Sequence, residues 1–339
     1  VHVYSTNFAL YGDLSERIMS ILTDYAPRIE VYSIDEAFMD FSGIPEKENA
    51  AIELREKVYK WVGIPVSIGV AQTKTLSKVA NSIAKKQRDN GVCVFADTYE
   101  IHACLKEFPV SKLWGVGRQY AQMLDLSGVH SAYELIQKSD QWIQKQMSIV
   151  GLKMVKELRG EPCFDLETWW NRKKSITTSR TFGYEVSDFQ GLAQALSTYA
   201  SMCAAKLRKE RSCAKTIHIM IYTNPFKQKH RMNYKGHKTV KLDTPTNDGL
   251  EIVSRTIEAL RSIYRPDYIY KRAGVIVSDI VPQSQVQLTF FDKLADIEKR
   301  QKLMGAVDKL NDSYGRMKIR FALNGFERKW RLRQEKLSP

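Results

Sequence analysis

The chain has little cysteine and no patterned cysteine. Cys93, Cys104, Cys163, Cys203 and Cys213 include no C-x-x-C pair, which argues against a disulfide framework and fits reduced cytosolic thiols. His102, His130, His218, His230 and His237 share no ligand spacing with each other or with cysteine, so no zinc site is expected. No run of 18 apolar residues occurs, which excludes a membrane-spanning helix. Residues 1–10 carry no basic segment followed by an apolar one, so no secretory signal is read. These absences point to a cytoplasmic protein. Acids are scarce on one side only: residues 1–165 carry a formal charge of −2 and residues 166–339 carry +16. Such a basic half calls for a polyanion, nucleic acid first.

A length of 339 residues with 43% apolar content suggests two to three domains with real cores. Leu14, Ile18, Ile21, Leu22 and Tyr25 share one helical face, with Asp13 and Glu16 as a capping box. Ile29 to Phe41, rich in β-branched and aromatic residues, reads as strand or hairpin. Ile52, Val58, Trp61 and Val62 mark a second helix, Val66 to Ala71 a buried strand, and Thr73 to Lys86 a third helix. Residues 105–165 read as short helices broken by Gly115, Gly117, Gly128, Gly151 and Gly160. From Lys174 the order is strand, helix, strand, strand, helix, strand, ending near Ile280. That is the split βαβ arrangement, with two helices on one face of a four-stranded sheet and the other face open. The class is therefore α+β and multidomain.

Four features carry chemistry. In Ser33-Ile34-Asp35-Glu36, a tight bend at Ile34–Asp35 would let both carboxylates converge, which suits Mg²⁺ and phosphoryl transfer. On the helix after Thr73, Lys74, Lys78, Asn81 and Lys85 form a stripe about 16 Å long opposite the apolar face. No acid lies between Thr73 and Arg88, so this row could neutralise a triphosphate. Leu113-Trp114-Gly115-Val116-Gly117-Arg118 opens a helix, and its two glycines allow close approach of a phosphate to free N–H groups. Gln287-Leu288-Thr289-Phe290-Phe291 sets large apolar residues in a polar tail, a pattern suited to a partner's pocket.

Tyr32 to Phe38, Gly69 to Lys74 and Leu76 to Asn81, with Lys174-Ser175-Ile176 and Ser179 to Phe182, resemble the Y-family translesion DNA polymerases. The resemblance runs through essentially the whole chain. It implies a right-hand-like polymerase with a palm (1–104), a helical thumb with a helix-hairpin-helix (105–165), a βαββαβ little finger (166–282) and a clamp-binding, partner-docking tail (283–339). Asp35 and Glu36 would be palm carboxylates for a two-ion Mg²⁺ site. Lys85, with Lys74 and Lys78 nearby, would meet the incoming dNTP. Gly115, Gly117 and Arg118 would grip primer–template DNA, and Ser179 and Arg180 would line the little finger's open face. Arg180→Ala is then expected to weaken DNA binding and flatten its salt dependence. Gln287, Leu288, Phe290 and Phe291 resemble a peptide for the bacterial sliding clamp. A UmuD-type accessory dimer and a recombinase filament are further partners implied.

The family's N-terminal D-x-N-x-F-Y/F-A-S segment, with its third metal carboxylate, does not occur in these residues. With Val1 as the first residue, the first palm strand and most of the fingers are expected to be missing. The chain as written is expected to bind primer–template DNA and to polymerise poorly or not at all. The alternative reading is a non-catalytic DNA-binding and clamp-recruiting protein.

Overall fold

The computed structural model describes residues 2–87, 89–167, 172–225, 233–287, 294–328, 330–332 and 334–338. The chain divides into one unit over Asn7–Trp170 and another over Asn171–Ser338 with Val1–Thr6.

In the first unit, α1 (Phe8–Tyr25) leads to a hairpin of β1 (Ile29–Val31) and β2 (Ala37–Met39). After α2 (Lys47–Val62), β3 (Ile68–Val70) and β4 (Val92–Val94) pair in parallel, joined by α3 (Lys74–Gln87). Four helices follow: α4 (Thr98–Glu107), α5 (Arg118–Leu126), α6 (Ala132–Ile136) and α7 (Asp140–Leu158). The capping box expected at Asp13 is not where α1 begins. Asn7 Oδ1 takes the Leu10 N–H at 3.3 Å, so α1 starts at Phe8 and Asp13 lies inside it, bridged to Arg17 at 3.0 Å. An Asn cap further upstream outcompeted the Asp. Gly151 breaks nothing either; the kink in α7 falls at Ser148, with φ 66°. Leu76, Val79 and Ile83 of α3 share one core with Leu105, Leu124, Leu135, Ile143 and Val155. A smaller core joins Ile21 of α1 to Leu54 and Val58 of α2.

The second unit has β5 (Ser175–Val186), α8 (Phe189–Lys209), β6 (Ser212–Thr223), β7 (Lys235–Thr246), α9 (Gly249–Ile263) and β8 (Tyr270–Pro282). The antiparallel sheet runs β5-β8-β6-β7, with α8 and α9 packed on one face, as the element order led us to expect. Alternation explains it. Ile217, Ile219 and Ile221 of β6 are buried under the helices, while His218, Met220 and Tyr222 between them point the other way.

The polar tail of the sequence is structured. In α10 (Leu294–Tyr314), Asp308 accepts a bidentate pair from Arg208 of α8 at 2.6 and 2.7 Å. Beyond it, Trp330 enters the core of this unit, edge-on to Phe182 and Tyr199. Among the described residues, no helix is long and apolar enough to cross a membrane.

Candidate active site and nucleic-acid interface

The acidic hairpin turns over Tyr32–Glu36. The Tyr32 and Ser33 N–H groups both donate to the Glu36 carbonyl, at 3.1 and 3.0 Å. Ser33 shapes the bend further: its hydroxyl donates to Asp35 Oδ1 at 2.6 Å and accepts the Asp35 N–H at 3.2 Å. Ser15 of α1 pins the outside of the loop by donating to the Ile34 carbonyl at 2.5 Å. Asp35 is exposed, and Glu36 is half-exposed.

The lysine helix faces this hairpin. Lys78 Nζ lies 2.6 Å from Glu36 Oε1 and sits over the rings of Tyr32 and Phe38, at 5.3 and 5.8 Å. Lys74 goes elsewhere. Its side chain is 9% exposed and its ammonium donates at 2.5 Å to Glu30 Oε2 and to the Asp165 carbonyl. Lys85, near the other end of α3, is exposed. The expected stripe therefore divides into a buried ion pair, a half-buried ion pair and an exposed cation. α3 lies close to β3 because Gly69 has no side chain; a Cβ there would stand 2.1 Å from Asn81 N.

Sequence reasoning missed three groups here. Glu30, on β1, accepts from Lys74 and from the Glu167 N–H at 2.7 Å. Glu157 is fully buried and accepts from Thr75 at the start of α3. Trp114 donates to the Tyr32 hydroxyl at 3.1 Å and packs against Tyr32, Phe38 and Phe164. The contacts named here have no local signal, because they span 44 or more residues of sequence.

The donor set suits a hard cation. Two carboxylates share one bend, and an ammonium already occupies the field of Glu36. Among the described residues no group of three or more His, Cys, Asp or Glu is gathered into a cage. Two carboxylates leave the remaining coordination positions of a hard cation to other oxygen ligands.

The turn before α5 is built on two glycines. Gly115 has φ +90°, which needs glycine, and Gly117 is the helix N-cap without any side-chain bond. Gly117 thus offers the first-turn N–H groups no capping side chain, there is no acid in that turn, and Arg118 beside them is exposed.

In the second unit, register assigns the open face. Thr181, Arg272, Tyr222 and Lys235 form one cross-strand row, and Ser179, Gly274, Met220 and His237 the next. Ser179 lies on this face, where Arg272 donates to its hydroxyl at 3.0 Å. Arg180 does not, and the expectation for it is corrected. It pairs with buried Ala273 between buried Thr178 and Phe182, on the helix side. There burial raises the pKa of the Tyr199 phenol and the Arg180 charge opposes that rise. Adjacent strand residues cannot share a face. Arg272→Ala is therefore expected to weaken binding to DNA of any sequence and to reduce the log–log salt slope by about 1. Arg180→Ala should leave the slope unchanged; salt titrations by fluorescence anisotropy decide between them.

Of the tail peptide, Gln287 is exposed, while Leu288, Phe290 and Phe291 lie outside the described residues.

A model described as impB/mucB/samB family matches residues 1–82, and one described as that family's C-terminal domain matches residues 173–290. A domain of unknown function matches residues 301–339. Protein UmuC of Salmonella typhimurium is 37% identical over 341 residues, covering 99% of this chain and 81% of UmuC. Protein MucB of Escherichia coli is 32% identical, covering 100% of this chain and 81% of MucB. DNA polymerase IV of Brucella melitensis is 26% identical, covering 92% and 68%. Among solved structures, a Y-family DNA polymerase chimera of Dbh and Dpo4 superposes with TM-score 0.62 at 22% identity, covering 81% of this chain and 77% of that one. By sequence the chain belongs to the impB/mucB/samB family, and its fold is that of a Y-family DNA polymerase.

Proposed function

We propose that the protein is a template-directed DNA polymerase that copies past lesions, with Asp35 and Glu36 at its chemical centre. The observation that carries this reading is the acidic hairpin held against the lysine helix, with Lys78 2.6 Å from Glu36. Mg²⁺ bound there would stabilise the charge developing as a primer 3′-OH displaces pyrophosphate from a dNTP. Asp35 and Glu36 would hold the ion, Ser33 would orient Asp35, and Lys85 would neutralise the triphosphate. The thumb turn at Gly115, Gly117 and Arg118 would grip the DNA backbone without reading bases. The open face around Ser179 and Arg272 would do the same. Low fidelity would follow from positioning by backbone contacts instead of a close fit around the new base pair.

The domain division at 104, 165 and 282 belongs to this proposal, as does clamp recruitment through Gln287, Leu288, Phe290 and Phe291. A UmuD-type dimer and a recombinase filament are the partners it implies, and the cytoplasm is the place. The test is primer extension opposite an abasic site by the full natural protein, with and without Mg²⁺. Metal-dependent extension past the lesion supports the reading. Tight DNA binding with no incorporation would instead support the non-catalytic, clamp-recruiting protein. For the tail, Phe290→Ala with Phe291→Ala should abolish binding to the sliding clamp in a pull-down while DNA affinity stays. Joint loss of both would count against a clamp peptide.

A further inference from the structure

We propose that Glu30, Lys74 and Glu157 form a polar latch that positions the acidic hairpin against α3, with Lys74 a positioning residue instead of a nucleotide ligand. The functional half of this inference rests on the polymerase reading; the latch itself does not. Four pieces of chain meet in it. Glu157 of α7, fully buried, takes the Thr75 N–H and hydroxyl on Oε2, both at 2.8 Å. Its Oε1 takes the Cys163 and Phe164 N–H groups at 3.1 and 2.9 Å. Glu30 Oε2 takes the Lys74 ammonium and the Glu167 N–H, and Lys74 also donates to the Asp165 carbonyl. Residues 163–167 thus offer three N–H groups and one carbonyl to the three latch side chains.

The geometry leaves Lys74 no freedom to serve a triphosphate. Its two acceptors are both at 2.5 Å, the Phe38 ring lies 5.1 Å from it, and its side chain is nine-tenths buried. Turning it toward a phosphate would strand buried Glu30 without its cation, which is strongly unfavourable. Glu157 is a buried carboxylate, and among the described residues no cation pairs with it. Four donors and the positive end of α3 stabilise it, and in return it fixes where α3 begins. Since Glu30 stands on β1 three residues before Ser33, the latch sets the hairpin relative to Lys78.

The variants are Lys74→Met, which keeps the apolar stem over Phe38, Glu30→Gln, and the two together. Amide hydrogen exchange is read on the protein without substrate, and primer extension separately. Each single change should speed exchange at Phe164 and Glu167 by about tenfold or more. Each should also lower kcat with the KM for dNTP within about twofold. The double variant should lose no more than the worse single one, because the two residues act as a unit. A tenfold rise in KM with unchanged exchange would make Lys74 a nucleotide ligand and overturn the proposal, as would additive losses. Exchange alone decides whether the latch exists, so a protein that fails to extend primers counts against the polymerase reading only.

Discussion

Glu36→Gln is expected to lower primer extension by ~10²–10³-fold, the scale of removing one preorganised electrostatic contact. Gln has nearly the shape of Glu, and its amide oxygen can still accept from Lys78, which lies 2.6 Å from Glu36 Oε1. What it lacks is the negative charge that a divalent cation requires. The fold should not notice. The Glu36 side chain is 41% exposed, and ion pairs at that exposure contribute about 0–1 kcal/mol. Thermal unfolding and DNA affinity without nucleotide should therefore match the parent protein. Asp35→Asn should behave likewise, with Ser33 still bonded to the remaining oxygen. Extension at the parental rate by both variants would remove the pair from the chemistry. A matching fall in melting temperature would assign it to structure.

The contrast with Arg180 shows what the amino-acid sequence discloses and where it misleads. Long patterned elements are legible, because burial acts on every second or every third-to-fourth residue. Ile217, Ile219 and Ile221 disclose β6 and its buried side, and the βαββαβ order follows from six such elements in turn. The acidic bend is legible for a similar reason: Ser33, Asp35 and Glu36 are neighbours, and the bonds that shape the turn span two to four residues. Arg180 misleads because it adjoins Ser179 in sequence, while strand alternation turns the two to opposite faces. Arg272, a cation that does lie on the open face, meets Ser179 across 93 residues, and no window of sequence brings them together. The same holds for Lys74. The helical period puts it in a stripe with Lys78 and Lys85, but periodicity finds faces and not partners. Glu30 and Asp165, 44 residues before it and 91 after it, decide what that ammonium does. Trp330 is the extreme case, a tryptophan in a basic tail that fills the core between Phe182 and Tyr199.

Gly69→Ala is expected to be the most disruptive single-methyl change in the first unit. The added Cβ would meet three backbone atoms of α3: Asn81 N at 2.1 Å, Ser77 O at 2.4 Å and Asn81 Cα at 2.7 Å. Backbone cannot rotate out of the way as a side chain can. The helix must therefore retreat from β3 by more than an ångström on the ordinary contact distance. Overpacking of a core costs about 1–3 kcal/mol, and the backbone clash puts this change at the upper end. Lys78 lies between Ser77 and Asn81, so it retreats with them, and its 2.6 Å contact with Glu36 opens. Activity should then fall by roughly 10²-fold, the effect of about 1 Å of misplacement at a catalytic site. Urea unfolding measures the first effect and primer extension at a temperature where the variant stays folded measures the second. A variant within about 0.5 kcal/mol of the parent would place it among ordinary surface substitutions. The close packing of α3 on β3 would then not be what sets the lysines against the carboxylates. If stability falls and activity per folded molecule holds, α3 has moved without Lys78, and the carboxylate pair does its work without that ammonium in place.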